Sequence, residues 1–164
     1  MGKYEVKDGV GIIPEGVTEI GFQAFYDCKD LISITIPKSV TEIGDLVFNG
    51  CTGLTSIVVA EGNSVYDSRE NCNAIIETAT NMLFIGCSST IIPEGVTSIG
   101  KRAFDECTGL TNIVIPEGVT RIGTAAFGEC SGLTSVVIPE SVTEIGDFAF
   151  CGCSGLTSIV IPKG

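Results

Sequence analysis

The hydrophobic positions of this chain recur on a fixed beat. In "LTSVVIP", residues 133–139, side chains alternate with the period of a strand: Val136 and Ile138 share one face, Ser135 and Val137 the other. The pattern returns along the chain, and its polar residue tells which face meets water: Ser33, Ser56, Ser89, Asn112, Ser135 and Ser158 form one column. The core face is then Ile34/Ile36, Ile57/Val59, Ile113/Ile115, Val136/Ile138 and Ile159/Ile161. Proline ends each strand, and a polar pair such as Glu140-Ser141 makes a corner. "VTEIG" is a second short extended segment, whose glycine allows positive φ or a close backbone approach. "DFAFCGC" predicts a short helical turn with Ala149, Phe150 and Cys153 on one side.

Prolines stand at 14, 37, 93, 116, 139 and 162, with gaps of 23, 56, 23, 23 and 23 residues. Columns of Val, Thr, Ile-Gly, Phe, Cys and Leu follow at the same spacing, which marks internal repeats. Ala60 takes the proline's place in the long gap, so one repeat, 60–92, has 33 residues, ten more than the others. Within it, apolar runs at 74–76 and 82–85 flank a polar "ETATN", which predicts a β-hairpin pushed out of one coil. No single copy can bury its apolar face, but a stack of copies can. Residues 1–164 are therefore read as one solenoid domain of coils of about 23 residues.

The formal charge of −11 argues against nucleic acid and anionic membrane surfaces, which need clustered Lys and Arg. No apolar stretch approaches the length needed to span a bilayer. The chain has no histidine, which removes Ser-His and Cys-His nucleophile pairs. Phosphate-cradling glycine motifs are absent, and carboxylates such as Glu117 and Glu140 sit at a repeated corner and not in a singled-out pair. The expectation is a non-enzyme without a cofactor or metal. Five of the eight cysteines keep the beat (Cys28, Cys51, Cys107, Cys130, Cys153) and are expected as inward rungs acting as small apolar residues. Cys72 and Cys87 bracket the hairpin, where a disulfide stays open as an alternative to free thiols. Cys151 falls in a variable column and is expected at the surface.

The outward strand column reads Ile12, Thr35, Val58, Ile91, Val114, Val137 and Val160, beside Ser56, Asn112, Ser135 and Ser158. Seven rows at ~4.8 Å give a stripe of roughly 30 Å. A contiguous apolar stripe on the wet face suits a protein partner; the β-propensity of valine on an exposed strand is the alternative account. The acidic corner column (Glu15, Glu61, Glu94, Glu117, Glu140) is interrupted by Lys38 and Lys163.

The pattern "LTSIVIPxxVTxIGxxAFxxCxG" resembles the BspA-like, or treponemal-type, leucine-rich repeats over nearly the whole chain. "GNSVYDSRENCNAIIETATNMLFIGC" looks like that family's long repeat. The resemblance implies a right-handed leucine-rich-repeat solenoid with a parallel β-sheet on its concave side and short extended segments and helical turns on the others. It implies a bacterial surface or secreted protein that adheres to host matrix or microbial surface proteins, and it carries over no catalytic residue. A structural spacer with its partner site elsewhere is the alternative. The chain shows no signal peptide, and "SIVIPKG" stops in mid-coil where Ile159 and Ile161 would lie open. The expectation is a piece of a longer extracellular array.

Overall fold

The computed structural model describes residues 3–163. Its strands are short: β1 (Glu5–Lys7), β2 (Val10–Ile12), β3 (Glu19–Ile20), β4 (Ser33–Ile36), β5 (Glu42–Ile43), β6 (Ser56–Val59), β7 (Tyr66–Asp67), β8 (Ile75–Glu77), β9 (Met82–Ile85), β10 (Ser98–Ile99), β11 (Asn112–Val114), β12 (Arg121–Ile122), β13 (Ser135–Val137), β14 (Glu144–Ile145) and β15 (Ser158–Val160). The alternating segments stack as parallel strands in register, so identical columns meet one repeat apart: Ser33 faces Ser56 and Ile34 faces Ile57, and farther on Asn112, Ser135 and Ser158 align. The inward residues of these rows are buried. The last described row is the exception: Ile159 and Ile161 are 38 % and 62 % exposed.

The "VTEIG" segments form the second ladder, with β3 on β5 and the order β14-β12-β10-β9-β8-β7 beyond. From Gly44 on, its glycines serve close approach and not positive φ: a Cβ on Gly123 would stand 2.7 Å from the Lys101 nitrogen. Positive φ belongs to the Pro-Glu-Gly corners, as at Gly118 (101°). Where serine replaces that glycine, its hydroxyl joins coils: Ser141 accepts from the Gly118 N–H at 3.2 Å and donates to the Val119 carbonyl at 2.8 Å.

The "AFxxC" segments are not helical. A helix would spend its N–H groups internally, whereas here alternate N–H groups serve the neighbouring coil. Gln23, Phe25 and Asp27 donate to Asp45, Val47 and Asn49 at 2.7–3.1 Å, while Ala24, Tyr26 and Cys28 close turns onto Gly21, Gln23 and Phe25 at 3.1–3.2 Å. Alternation of this kind needs left-handed residues four apart. They recur at Gln23 and Asp27, Arg102 and Glu106, and Ala125 and Glu129, with φ between 53° and 61°. In these three rows the backbone donors thus find acceptors without a helix. The phenylalanines of these turn rows stack, Phe104 on Phe127 at 5.0 Å and Phe127 on Phe150 at 5.3 Å.

The enlarged repeat does contain a hairpin, β8 and β9, but it is not pushed out of the coil. β9 occupies a row of the second ladder, pairing Met82 and Leu83 with Ser98 and Ile99, and β7 and β8 extend that sheet antiparallel. Burial explains the placement, since Ile75, Ile76 and Leu83 are fully covered, which a projecting hairpin would not permit. The extra residues split the core. Ile75 and Cys87 pack with the coils before them, Ile76 and Cys72 with the coils after.

Candidate functional site

The outward column lies on the exposed face as expected, with Thr35, Val58, Ile91, Val114, Val137 and Val160 all exposed. Ser56 is half-buried, and Asn112, Ser135 and Ser158 are exposed. The column is not one stripe, however. The strand sheet breaks into β1-β2-β4-β6 and β11-β13-β15, and Ile91 lies in no strand. The cause is local. Residues 68–74 of the enlarged coil wedge against the end of β6: the Val59 N–H donates to Ser68 Oγ at 2.9 Å, and the Ile91 N–H donates to the Cys72 carbonyl at 3.1 Å. At the other end of the row Ser88 Oγ still reaches the Leu54 carbonyl at 3.2 Å, so the row is splayed and not lost.

Two panels result. Thr35 and Val58 belong to the first; Val114, Val137 and Val160 sit side by side in the second. The second stands more open, with Val114 78 % exposed against 45 % for Val58. No signal in the repeat pattern marks the break, because the wedge comes from residues with no repeat equivalent.

A hydrogen-bonded cluster anchors the wedge. Arg69 grips Asp67 with two bonds of 2.7 Å and reaches Asn81 Oδ1 at 2.8 Å. Thr78 Oγ1 donates to Asp67 at 2.6 Å. The Arg69 hydrogen bonds, ahead of Thr78, hold the Asp67 carboxyl down at about 2. Asn63 is the other anchor: its Nδ2 donates to the Pro37 and Val40 carbonyls at 3.0 and 2.9 Å, and its Oδ1 accepts from the Val65 and Tyr66 N–H at 2.9 and 2.8 Å.

All eight cysteines are free, Cys72 and Cys87 among them. The rungs act as more than apolar filler. Cys51 donates its thiol to the Phe25 carbonyl at 2.9 Å, and Cys130 and Cys153 do the same to Phe104 and Phe127 at 3.0 Å. Burial pushes the thiols of Cys51 and Cys130 up to about 12, so they stay protonated donors. Cys151 is exposed. Among the described residues no cluster of three or more cysteines or carboxylates could hold a metal, and no helix is long and apolar enough to cross a membrane.

Parallel coils of 23 residues on either side of one enlarged coil, with an outward sheet face, define a repeat solenoid consistent with protein contacts. Residues 11–84 and 80–164 match the BspA type leucine rich repeat region, in six copies. The chain belongs to that family. Its fold is similar to a leucine-rich repeat protein of Eubacterium ventriosum (29 % identity, TM-score 0.76, covering 90 % of this chain and 40 % of that one). It is similar also to one of Bacteroides ovatus (33 % identity, TM-score 0.56, covering 92 % and 36 %). The pneumococcal vaccine antigen PcpA shares the fold at 21 % identity and TM-score 0.66, covering 88 % of this chain and 42 % of that one. The chain thus spans about two-fifths of the length of these structures. No curated protein matches.

Proposed function

We propose that this chain is a non-enzymatic protein-binding segment of a bacterial surface or secreted protein, docking host matrix or microbial surface proteins on its strand face. The observation that carries the reading is the second panel, where Val114, Val137 and Val160 stand adjacent and 78 %, 61 % and 56 % exposed. Family membership supports a contact role for it.

The test is the double substitution Val114→Glu with Val137→Glu. Both side chains point away from the core, so the change costs about 0.5 kcal/mol or less per site in stability. In the centre of a contact the two charges lose their water, and binding falls by about 2 kcal/mol or more. Thermal melting and surface-plasmon titration against matrix proteins read the two effects. If the variant folds and binds as its parent does, the valines serve strand propensity alone and the segment is a spacer.

A further inference from the structure

On the turn side of the stack one row is missing. The enlarged coil is longer than its neighbours overall but shorter here: Leu83 to Ile92 is nine residues, where the equivalent Ile99 to Ile115 is sixteen. Gly86 stands in for the phenylalanine. Its N–H donates to the Ala103 carbonyl at 2.8 Å, the bond that Phe25 makes to Val47 and Phe104 to Ala126. It has no side chain to add to the stack, and a Cβ there would strike the Phe104 ring. A cleft with a cavity of about 60 Å³ opens between rows 44–52 and 101–109, bordered by Phe48, Cys51, Leu54 and Cys107.

The two walls of this cleft carry the loose ends of a backbone ladder. Leu46, Phe48 and Gly50 correspond to Gln23, Phe25 and Asp27, whose N–H groups all bond the next coil. Theirs have no partner among the described residues, although Phe48 and Gly50 are buried. Across the cleft, the carbonyls of Lys101 and Asp105 are equally open, while the equivalent Thr124 and Gly128 accept from Arg102 and Glu106. Only a side-chain bridge joins the walls, Asn49 Nδ2 to Asp105 Oδ2 at 3.1 Å, where adjacent rows elsewhere touch through backbone. Buried N–H groups without a partner are rare in folded proteins. Here three unpartnered N–H groups fall in one row, two of them on buried residues.

We propose that this cleft binds an unstructured segment of a protein partner as a replacement row. The segment turns carbonyls toward Leu46, Phe48 and Gly50 and N–H groups toward Lys101 and Asp105, and it lays an aromatic side chain beside Phe48, where the stack is interrupted. Main-chain pairing supplies the attraction and the cavity selects the side chain, as in strand addition to an open sheet edge. A folded second copy does not fit. Its open terminal row offers the N–H groups of Phe148, Phe150 and Gly152, but the carbonyls of Asp147, Ala149 and Cys151 are already taken by Ala125, Phe127 and Glu129. It can satisfy one wall only. This site lies on the turn rows and stands independently of the strand-face reading.

The probe is a synthetic peptide of this chain's own row, residues 123–132 with Cys130→Ser, followed by residue-resolved amide exchange on the whole protein. In the free protein Leu46, Phe48 and Gly50 exchange at least about tenfold faster than Gln23, Phe25 and Asp27, and the peptide slows them by about the same factor. A peptide that also carries Phe127→Gly gives no slowing. Thr52→Trp, at the exposed mouth of the cleft, leaves melting unchanged and weakens the peptide by about tenfold or more. The proposal is overturned if the three amides are already protected in the free protein. It is overturned equally if the peptide at about 1 mM protects nothing or only Phe148, Phe150 and Gly152, or if Thr52→Trp binds it as the parent does.

Discussion

The enlarged coil and the regular coils that follow it are held by different kinds of bond. In the regular coils the threonines of a ladder each lean on their own equivalent one repeat away. The hydroxyls of Thr120, Thr143, Thr134 and Thr157 donate to the carbonyls of Thr97, Thr120, Thr111 and Thr134 at 3.2–3.3 Å. These bonds are exposed, modest and many. In the enlarged coil single side chains collect several bonds, and the partners in its Asp67 network have no repeat equivalents. Asn63 makes four, and Asp67, Arg69, Thr78 and Asn81 close one network. A repeat spreads its stability thinly; an interruption must concentrate it.

The largest effect tests the regular coils where they are not thin, in the core. Val136→Glu with Ile138→Glu places two charges on the buried face and is expected to unfold the stack, a loss of about 4 kcal/mol or more. If that variant melts like Val114→Glu with Val137→Glu, the faces are assigned the wrong way round.

Asn63→Ala comes next, at about 2–3 kcal/mol, because it removes four hydrogen bonds at once. Thr120→Val, which removes one exposed rung of a ladder, costs about 0.5 kcal/mol or less. Urea titration of both variants measures the contrast, and equal losses would erase it.

The Asp67 network gives the contrast a pH dependence. The carboxyl is depressed in the folded state, so its stabilisation is complete above about pH 4 and drains away as pH falls toward 2. A quarter-exposed pair loses part of its worth to solvent, which leaves about 1–2 kcal/mol. Melting of the parent and Asp67→Asn should differ at pH 6 and converge near pH 2; parallel curves would show that the pair contributes nothing.

Cys130→Ala costs about 1–2 kcal/mol for a lost weak donor and a small void, and Cys130→Ser should recover part of it. Native thiol labelling should reach Cys151 first and Cys51 and Cys130 last. Early labelling of Cys130 would mean that the coils open locally.

The repeat pattern was enough to place the inward and outward faces, because a column that recurs in a stack has one environment. Ile57, Ile113 and Val136 are buried and Val114 and Val137 exposed for that single reason. The same logic failed wherever a residue's partner is not its own equivalent. "DFAFCGC" has the spacing of a helical turn, but in its equivalent one repeat earlier the neighbouring coil's carbonyls take alternate N–H groups, those of Ala125, Phe127 and Glu129. The wedge that splits the strand face was illegible for the same cause: Ser68 and Cys72 meet β6 and Ile91 through contacts that belong to one coil alone.

Asn63 has a consequence for how the chain finds its fold. Coils this alike can stack one place out of step with almost the same contacts, and such a mistake is hard to correct once neighbours lock it in. Asn63 binds both ends of one corner, Pro37 and Val40, and Gly86 lies against the Phe104 ring where a Cβ would strike it. A single odd coil therefore works as a page number in a book of identical pages. It tells each coil how far it stands from a landmark, and a chain that has miscounted cannot close around it.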